Sequence, residues 1–162
     1  MQLNSRTLIT SGVLAAMYIA VTALVAPIGF YAIQFRLSEI FNHLVIFNKR
    51  YFWGIIIGVV VSNILMSSLG FLEIFGVAQT TLSLLIIMAL SNIIKNKVTL
   101  MIINTFVFSF NMFLIAIMLY IGIDLPFFAT WATTAAGEFI VMAIGIPIIL
   151  MLARRIPLSK MI

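Results

Sequence analysis

The most polar stretch of this apolar chain spans residues 34–44 and reads QFRLSEIFNHL. It contains Arg36, Glu39 and His43, the last being the only histidine. At about 100° per residue, positions i, i+3 and i+7 of an α-helix share one face, so Glu39 can pair with either neighbour. The pattern predicts an internal salt bridge that fixes helix packing or one wall of a binding site. With one histidine and no cysteine, no metal site is expected.

Two further carboxylates lie in apolar surroundings. Glu138 follows the small residues 135–137 and has no basic neighbour in sequence. Glu73 shares one helical face with Gly76 and Thr80, near the start of its segment. Because ionisable groups are costly in a hydrocarbon layer, they indicate function by default. Glu73 can also be read as a charge at the edge of a loop.

Composition determines the solvent in which these residues act. Hydrophobic residues make up 64% of the chain and charged residues 8%, with a mean hydropathy of +1.28. Soluble domains carry about 25% charged residues. A chain of 162 residues cannot bury so much apolar surface in its own interior. The sequence therefore predicts an integral membrane protein.

Membrane helices need roughly 20 apolar residues. Six segments qualify, at about 7–26, 34–48, 51–68, 72–93, 98–121 and 125–153. The second is short and polar, which is typical of a tilted or partly re-entrant helix. We find no extramembrane domain and no convincing repeat, so residues 1–162 are predicted to form one transmembrane, substrate-binding domain.

The charges favour the same count. If the chain starts in the cytoplasm and crosses six times, eight of its nine basic residues fall on the cytoplasmic side, as the positive-inside rule requires. Glu73 and Asp124 fall on the other side. The prediction is an all-α six-helix bundle with both termini cytoplasmic. The net charge of +5 then reflects orientation, and no nucleic-acid partner is expected.

Most of the buried polar residues fall in the outer half of this bundle. They are Gln34, Arg36, Glu39, Asn63, Glu73, Thr80 and Asn111. Single asparagines are often interhelical glue. The shared bias instead favours an outward-facing pocket for a small hydrogen-bonding solute.

Small residues repeat every four positions on two segments. Gly12, Ala16 and Ala20 form such a strip on the first segment, and Gly54 and Gly58 begin another on the third. Strips of this kind let helices approach closely. The strip on the third segment predicts packing within the bundle. The first strip fits internal packing or an external partner equally well.

Several activities lack their motifs. The sequence contains no G-x-x-x-x-G-K-[ST] phosphate loop, no H-E-x-x-H and no G-x-S-x-G. The chain is therefore predicted to be a solute-binding membrane subunit and not an enzyme, and no cofactor is expected.

Four stretches carry a family resemblance. APIGFYAIQFRLSE (26–39), GIIIGVVVSN (54–63), LEIFGVAQTTL (72–82) and AAGEFIVMAIGIPI (135–148) resemble the QueT family. The similarity runs in order over roughly residues 8–150, and QFR-x-SE and GE are its most specific parts. Members are substrate-binding S components of energy-coupling factor (ECF) transporters, associated with queuosine precursors.

The resemblance implies a mechanism. The chain would capture its solute from outside the plasma membrane of a prokaryote. It would then dock through Ala16 and Ala20, extended by Gly12, onto a transmembrane scaffold (T) subunit. Two cytoplasmic ATPase subunits would supply the energy, and the S component would topple in the bilayer to release its load inward.

The implied solutes are 7-deazaguanines such as preQ0, preQ1 or queuine. Their ring N–H and exocyclic amine form a two-donor edge, which a carboxylate accepts in a bidentate manner. Glu138 is our first candidate for that carboxylate and Glu39 the second. Arg36 would bind the ring carbonyl or orient Glu39, while Trp131 would stack on the base or anchor the membrane interface. The residues expected to complete the hydrogen bonds are Gln34, Asn63 and Asn111.

Alternatives remain. Asn111 stands where the family is expected to carry an acidic residue, so a related purine or another vitamin-like solute is a second possible substrate. A solitary proton-coupled transporter would use Glu138 or Glu39 as its proton carrier. A membrane enzyme acting on lipid and a scaffold without a ligand are the remaining possibilities.

Overall fold

The regular structure is helical throughout the described chain. The computed structural model describes residues 5–25 and 35–161, apart from the side chain of Arg6. Its α-helices are α1 Ser5–Leu24, α2 Tyr51–Met66, α3 Ile74–Leu90, α4 Lys97–Asn111, α5 Phe113–Ile123 and α6 Phe127–Arg155. Its 310 helices are η1 Leu37–Ile46, η2 Gly70–Glu73 and η3 Leu158–Lys160. The predicted all-α class is confirmed for these residues.

Four stretches are long and apolar enough to cross a membrane. They are Thr7–Leu24 in α1, Gly70–Leu90 in η2 and α3, Lys97–Ile123 in α4 and α5, and Phe127–Arg155 in α6. The apolar helices η1 and α2 are shorter. This architecture is that of a helical integral membrane protein.

The second predicted segment, 34–48, differs most from expectation. Its described part forms the 310 helix η1, with the backbone N–H of Glu39 donating to the carbonyl of Arg36 at 3.0 Å. Ten residues at about 2.0 Å each extend about 20 Å, less than a hydrocarbon core of about 30 Å. With three residues per turn, Glu39 and Asn42 lie on the same face of η1, and His43 lies on a different face.

The fifth predicted segment, 98–121, is interrupted at Met112. Helix α4 ends at Asn111 and α5 begins at Phe113, although the N–H of Ala116 still donates to the carbonyl of Met112 at 3.0 Å. Just before the break, the hydroxyl of Ser109 donates to the carbonyl of Thr105 at 2.7 Å. Such bonds back to the i−4 carbonyl often bend helices.

Helices α1 and α2 are in close contact through the glycines of α2. A Cβ atom added at Gly54 would lie 2.9 Å from the carbonyl oxygen of Ser11, and one at Gly58 would lie 2.7 Å from Cβ of Tyr18. Neither position has room for a larger side chain. The predicted packing of this strip within the bundle is confirmed.

The strip on α1 faces the other way. Gly12, Ala16 and Ala20 are all exposed, and a Cβ atom at Gly12 would meet no atom within 4 Å. Their neighbours on the same face are large and apolar, including Ile9 and Val13. A flat groove flanked by bulky residues therefore runs along the outside of α1.

Both described ends of the chain lie at one end of the bundle. The hydroxyl of Thr10 donates to the carbonyl of Met161 at 3.3 Å, and that of Tyr51 donates to the carbonyl of Leu158 at 2.9 Å. The basic residues at this end are Lys49, Arg50, Lys95, Lys97, Arg154, Arg155 and Lys160. Glu73 and Asp124 lie at helix ends on the opposite side.

Candidate functional site

Buried polar side chains from α1, η1, α2, η2 and α6 meet inside the bundle. We name this group the outer polar cluster, after the half of the bundle in which the sequence predicts most of it, and its members are Tyr18, Arg36, Glu39, Asn42, Asn63, Glu73 and Glu138. Five of the predicted site residues belong to it. Gln34 was predicted to join them, but it lies outside the described residues.

Glu39 is the best-held carboxylate of the outer polar cluster. Its Oε1 accepts a 2.5 Å hydrogen bond from the hydroxyl of Tyr18, and its Oε2 accepts a short bond from the amide of Asn42. Both oxygens of Glu39 are therefore engaged by donors within the bundle. Asn42 reaches Glu39 because the two side chains lie one 310 turn apart.

Arg36 connects η1 to α2. One guanidinium nitrogen, Nη1, donates to Oδ1 of Asn63 at 2.9 Å, and the side chain is buried. The same guanidinium lies within electrostatic range of Tyr18 and Glu138. Arg36 therefore supplies positive charge at the centre of the outer polar cluster.

Two unpartnered polar atoms converge above Gly76 of α3. A Cβ atom at Gly76 would lie 2.8 Å from Nδ2 of Asn63 and 3.3 Å from Oε2 of Glu73. Both atoms are buried and have no hydrogen-bond partner within the described chain. The other oxygen of Glu73, Oε1, accepts a short bond from the hydroxyl of Ser67. Because Gly76 has no side chain, the amide donor of Asn63 and the carboxylate acceptor of Glu73 can both lie next to it.

Glu138 lies mid-way along α6 and is 2% exposed. Neither of its carboxylate oxygens accepts a hydrogen bond from a described residue, and Oε1 is completely buried. The carboxylate lies within electrostatic range of Glu39 and Arg36. Buried polar atoms are nearly always hydrogen-bonded in proteins, so a buried carboxylate of this kind is exceptional.

Thr80 and Asn111 lie in a second polar group, between α3 and α4. The hydroxyl of Thr80 donates to Oε1 of Gln79 at 3.1 Å, and Nδ2 of Asn111 donates to Oγ of Ser83 at 2.9 Å. Gln79 in turn donates to the carbonyl of Phe108 at 3.3 Å. These predicted site residues therefore bond within α3 and α4, and among the described residues no hydrogen bond joins them to Glu138 or Arg36.

Trp131 packs in an aromatic cluster at the start of α6. Its indole N–H donates to the carbonyl of Phe110 at 3.0 Å. The rings of Phe110, Phe113 and Phe127 lie 5.6, 6.4 and 6.0 Å from its own ring. These contacts support the anchoring interpretation of Trp131 more directly than the stacking one.

His43 is held away from the outer polar cluster. Its Nε2 lies 2.9 Å from the carbonyl of Met142, and its Nδ1 lies 3.1 Å from the amide of Asn104. A neutral ring with its proton on Nε2 satisfies both contacts, because Nε2 then donates and Nδ1 accepts. Both ring nitrogens are thus engaged away from Glu39, the neighbour with which His43 could have paired in an α-helix.

Five side chains that bond to the predicted site residues were not predicted from the sequence, namely Tyr18, Asn42, Ser67, Gln79 and Ser83. Gln79 and Ser83 lie on the same face of α3 as Gly76 and Thr80, so helical spacing contains a signal for them. Asn42 depends on the 310 period, and Tyr18 has no such signal. Within the described chain, no three His, Cys, Asp or Glu side chains converge as a metal site would require.

A helical membrane protein with buried carboxylates, a buried arginine and unpartnered polar atoms in its interior belongs to the class that binds or moves polar solutes. The sequence profile of the family described as QueT transporter matches residues 8–154. The chain belongs to this family, which is one of transporters and not of enzymes.

A curated relative supports the assignment. The chain is 32% identical over 165 residues to the "Queuosine precursor transporter QueT" of Lactococcus lactis subsp. cremoris (strain MG1363). The alignment covers 94% of this chain and 95% of the relative. No solved structure matches the chain.

Proposed function

We propose that this protein is the S component of an ECF importer that captures a queuosine precursor, a 7-deazaguanine, for uptake into a prokaryotic cell. The family and the name of the Lactococcus relative support this substrate. In this proposal the chain crosses the plasma membrane six times, with both termini in the cytoplasm. Support for that topology comes from the basic residues gathered at the end of the bundle where both described ends of the chain lie.

The carboxylate of Glu138 carries the proposal. It is buried in the bundle and receives no hydrogen bond from the described chain. Burying such a group without partners is costly. The ring N–H and exocyclic amine of a 7-deazaguanine would supply one donor to each oxygen, in a charge-assisted pair of bonds. The ring carbonyl would accept from Arg36 or from the unpartnered Nδ2 of Asn63.

The proposed partners are a T subunit and two ATPase subunits. The exposed strip of Gly12, Ala16 and Ala20 supports docking, because it allows another helix to approach α1 closely. The sequence has no phosphate-binding loop, so ATP hydrolysis would take place on the partners.

Calorimetric binding to the purified chain tests this function, with 7-deazaguanines, purines and vitamins as the panel. Glu138→Gln keeps the shape of the side chain and removes the charge, and each lost charge-assisted bond costs about 1.5–3 kcal/mol. We expect a 7-deazaguanine to bind and the variant to bind it at least tenfold more weakly. Asp124→Asn is the matched control, because Asp124 is exposed at a helix end.

Two results would contradict these statements separately. Equal affinity for Glu138→Gln and the native chain would remove Glu138 from the site. Binding of another purine or a vitamin, without any 7-deazaguanine, would replace the substrate and leave the role as an S component in place.

A solitary proton-coupled transporter is the second candidate, because a buried unpartnered carboxylate such as Glu138 is also suited to carrying a proton. Reconstitution of the chain alone in vesicles separates the two. Uptake driven by a proton gradient without T or ATPase subunits supports this candidate. Uptake that requires those subunits and ATP supports the S component.

A further inference from the structure

The charges of the outer polar cluster do not balance. Three of the four acidic residues in the sequence are buried there, namely Glu39, Glu73 and Glu138. Arg36 is the only basic residue among them. Residues 26–34, which the structure does not describe, contain no Lys, Arg, His, Asp or Glu and cannot supply the missing positive charge.

His43 does not compensate for the imbalance either. Its ring lies between the carbonyl of Met142 and the amide of Asn104, an arrangement that the neutral tautomer satisfies. The remaining basic residues of the described chain lie at the far end of the bundle, beyond η1. Unpaired buried charge is costly, so two of the three carboxylates require protons or a cationic partner.

The hydrogen bonds distinguish the three carboxylates. Both oxygens of Glu39 are occupied, by Tyr18 and Asn42, and the buried Arg36 belongs to the same cluster. No described residue donates to either oxygen of Glu138, so both can accept the two donors of a base edge. Glu73 has one oxygen occupied by Ser67 and one free, which matches a single-point donor.

An ammonium group is such a donor. It is a compact point charge, whereas a base edge or a guanidinium presents two parallel N–H bonds. The unpartnered Oε2 of Glu73 lies beside Gly76, next to Nδ2 of Asn63 and Cδ1 of Ile115. The side chain is 5% exposed, so a bound ammonium would be largely removed from water and its attraction to the carboxylate strengthened.

We infer that the ligand of this protein carries a protonated amine, and that Glu73 binds this amine while Glu138 binds the base edge. The inference rests on the proposed function and narrows it. The aminomethyl 7-deazaguanine preQ1 and its N-substituted relative queuine carry such an amine, whereas preQ0 carries a neutral nitrile at the same position. The site therefore selects the amine-bearing precursors.

Calorimetric titration of the native chain with preQ1 and with preQ0 tests the inference, because the two ligands share their ring system. We expect preQ1 to bind about tenfold to a hundredfold more tightly, as one added charge-assisted hydrogen bond implies. Equal affinities would overturn the inference and leave the proposed function intact. If neither base binds, the proposed function fails, and the inference fails with it.

Variants of Glu73 test whether this residue binds the amine of the ligand. In Glu73→Gln, the preference for preQ1 over preQ0 should be lost, so that the affinity for preQ1 falls to near that for preQ0. Glu73→Asp, which retains the charge, should keep part of the preference, and the exposed Asp124→Asn should keep all of it. Equal losses for both ligands in Glu73→Gln, with an unchanged melting temperature, would show that Glu73 does not bind the amine.

Discussion

Glu39 shows what a single side chain of this protein requires from its surroundings. Its two oxygens are bound by Tyr18 from α1 and by Asn42 one 310 turn away. Arg36 adds positive charge and reaches Asn63 on α2. One carboxylate is therefore held in an apolar bundle by donors on α1 and η1, with a buried guanidinium in the same cluster. Removing any one of these partners should disturb the others, because buried polar networks are strongly interdependent.

His43 provides a residue-scale prediction. His43→Leu leaves the buried carbonyl of Met142 and the amide of Asn104 without their partner, at a cost of about 1–3 kcal/mol. We expect a lower melting temperature in detergent and an unchanged affinity of the folded fraction for its ligand. His43→Gln can still donate and accept, so its loss should be smaller. A fall in affinity without a fall in melting temperature would place His43 in the binding site.

Side-chain chemistry made part of the outer polar cluster predictable. Arg36, Glu39 and Glu138 stand out in the sequence because charged groups are rare in apolar segments. Tyr18 does not stand out, since a tyrosine is common in membrane helices and its bond to Glu39 spans two elements. The separation of Thr80 and Asn111 from Glu138 was also not predictable. It depends on how α3 and α4 rotate against α6.

At the scale of elements, the contact between α1 and α2 affects both the packing of the bundle and the position of a residue in the candidate site. Gly58 lies against Tyr18, and Tyr18 donates to Glu39. Gly58→Ala places a methyl group 2.7 Å from Cβ of Tyr18, so α1 must shift. Overpacking of this kind costs about 1–3 kcal/mol. We expect a lower melting temperature together with weaker ligand binding, measured by thermal unfolding and calorimetry.

Gly12→Ala is the matched control for Gly58→Ala. It makes the same change on a helix, where a Cβ atom meets nothing within 4 Å. Because glycine is unfavourable inside helices, this variant should be neutral or gain up to about 1 kcal/mol. Equal destabilisation by both variants would mean that the loss comes from the helix backbone and not from the contact with Tyr18.

Long apolar runs made α1, α3 and α6 predictable, because their length and composition depend on local sequence alone. That η1 forms a 310 helix was not predictable in this way. Both an α-helix and a 310 helix bring Arg36 and Glu39 onto one face, and only the 310 form also aligns Asn42. The partners of this segment, Tyr18 on α1 and Asn63 on α2, are distant in sequence. Local periodicity carries no information about them.

For the whole molecule, the exposed strip on α1 predicts that a single substitution can abolish assembly with the proposed T subunit and leave ligand binding intact. Ala16→Trp fills the groove outside α1, so it should abolish co-purification with the T subunit in the proposed complex. The residue is exposed and away from the outer polar cluster, so the affinity for ligand should stay within about twofold. Ala89→Trp, at an exposed alanine of α3, is the matched control and should preserve both properties.

The two outcomes for Ala16→Trp separate the interpretations of the strip. Lost ligand binding with a lower melting temperature would mean that the strip supports the bundle itself. Retained co-purification with native affinity would mean that the T subunit docks elsewhere.

The unequal lengths of η1 and α6 have a consequence for the lipid. Helix α6 has 29 residues and extends about 43 Å, whereas η1 extends about 20 Å. The lipid meets the exposed face of α6, whereas η1 has no exposed residue and packs against α6 through His43 and Ile40. A helix longer than the hydrocarbon core of about 30 Å accommodates the hydrophobic mismatch by tilting. We therefore expect the acyl-chain length of the host membrane to set the tilt of α6, and with it the position of Glu138 relative to η1.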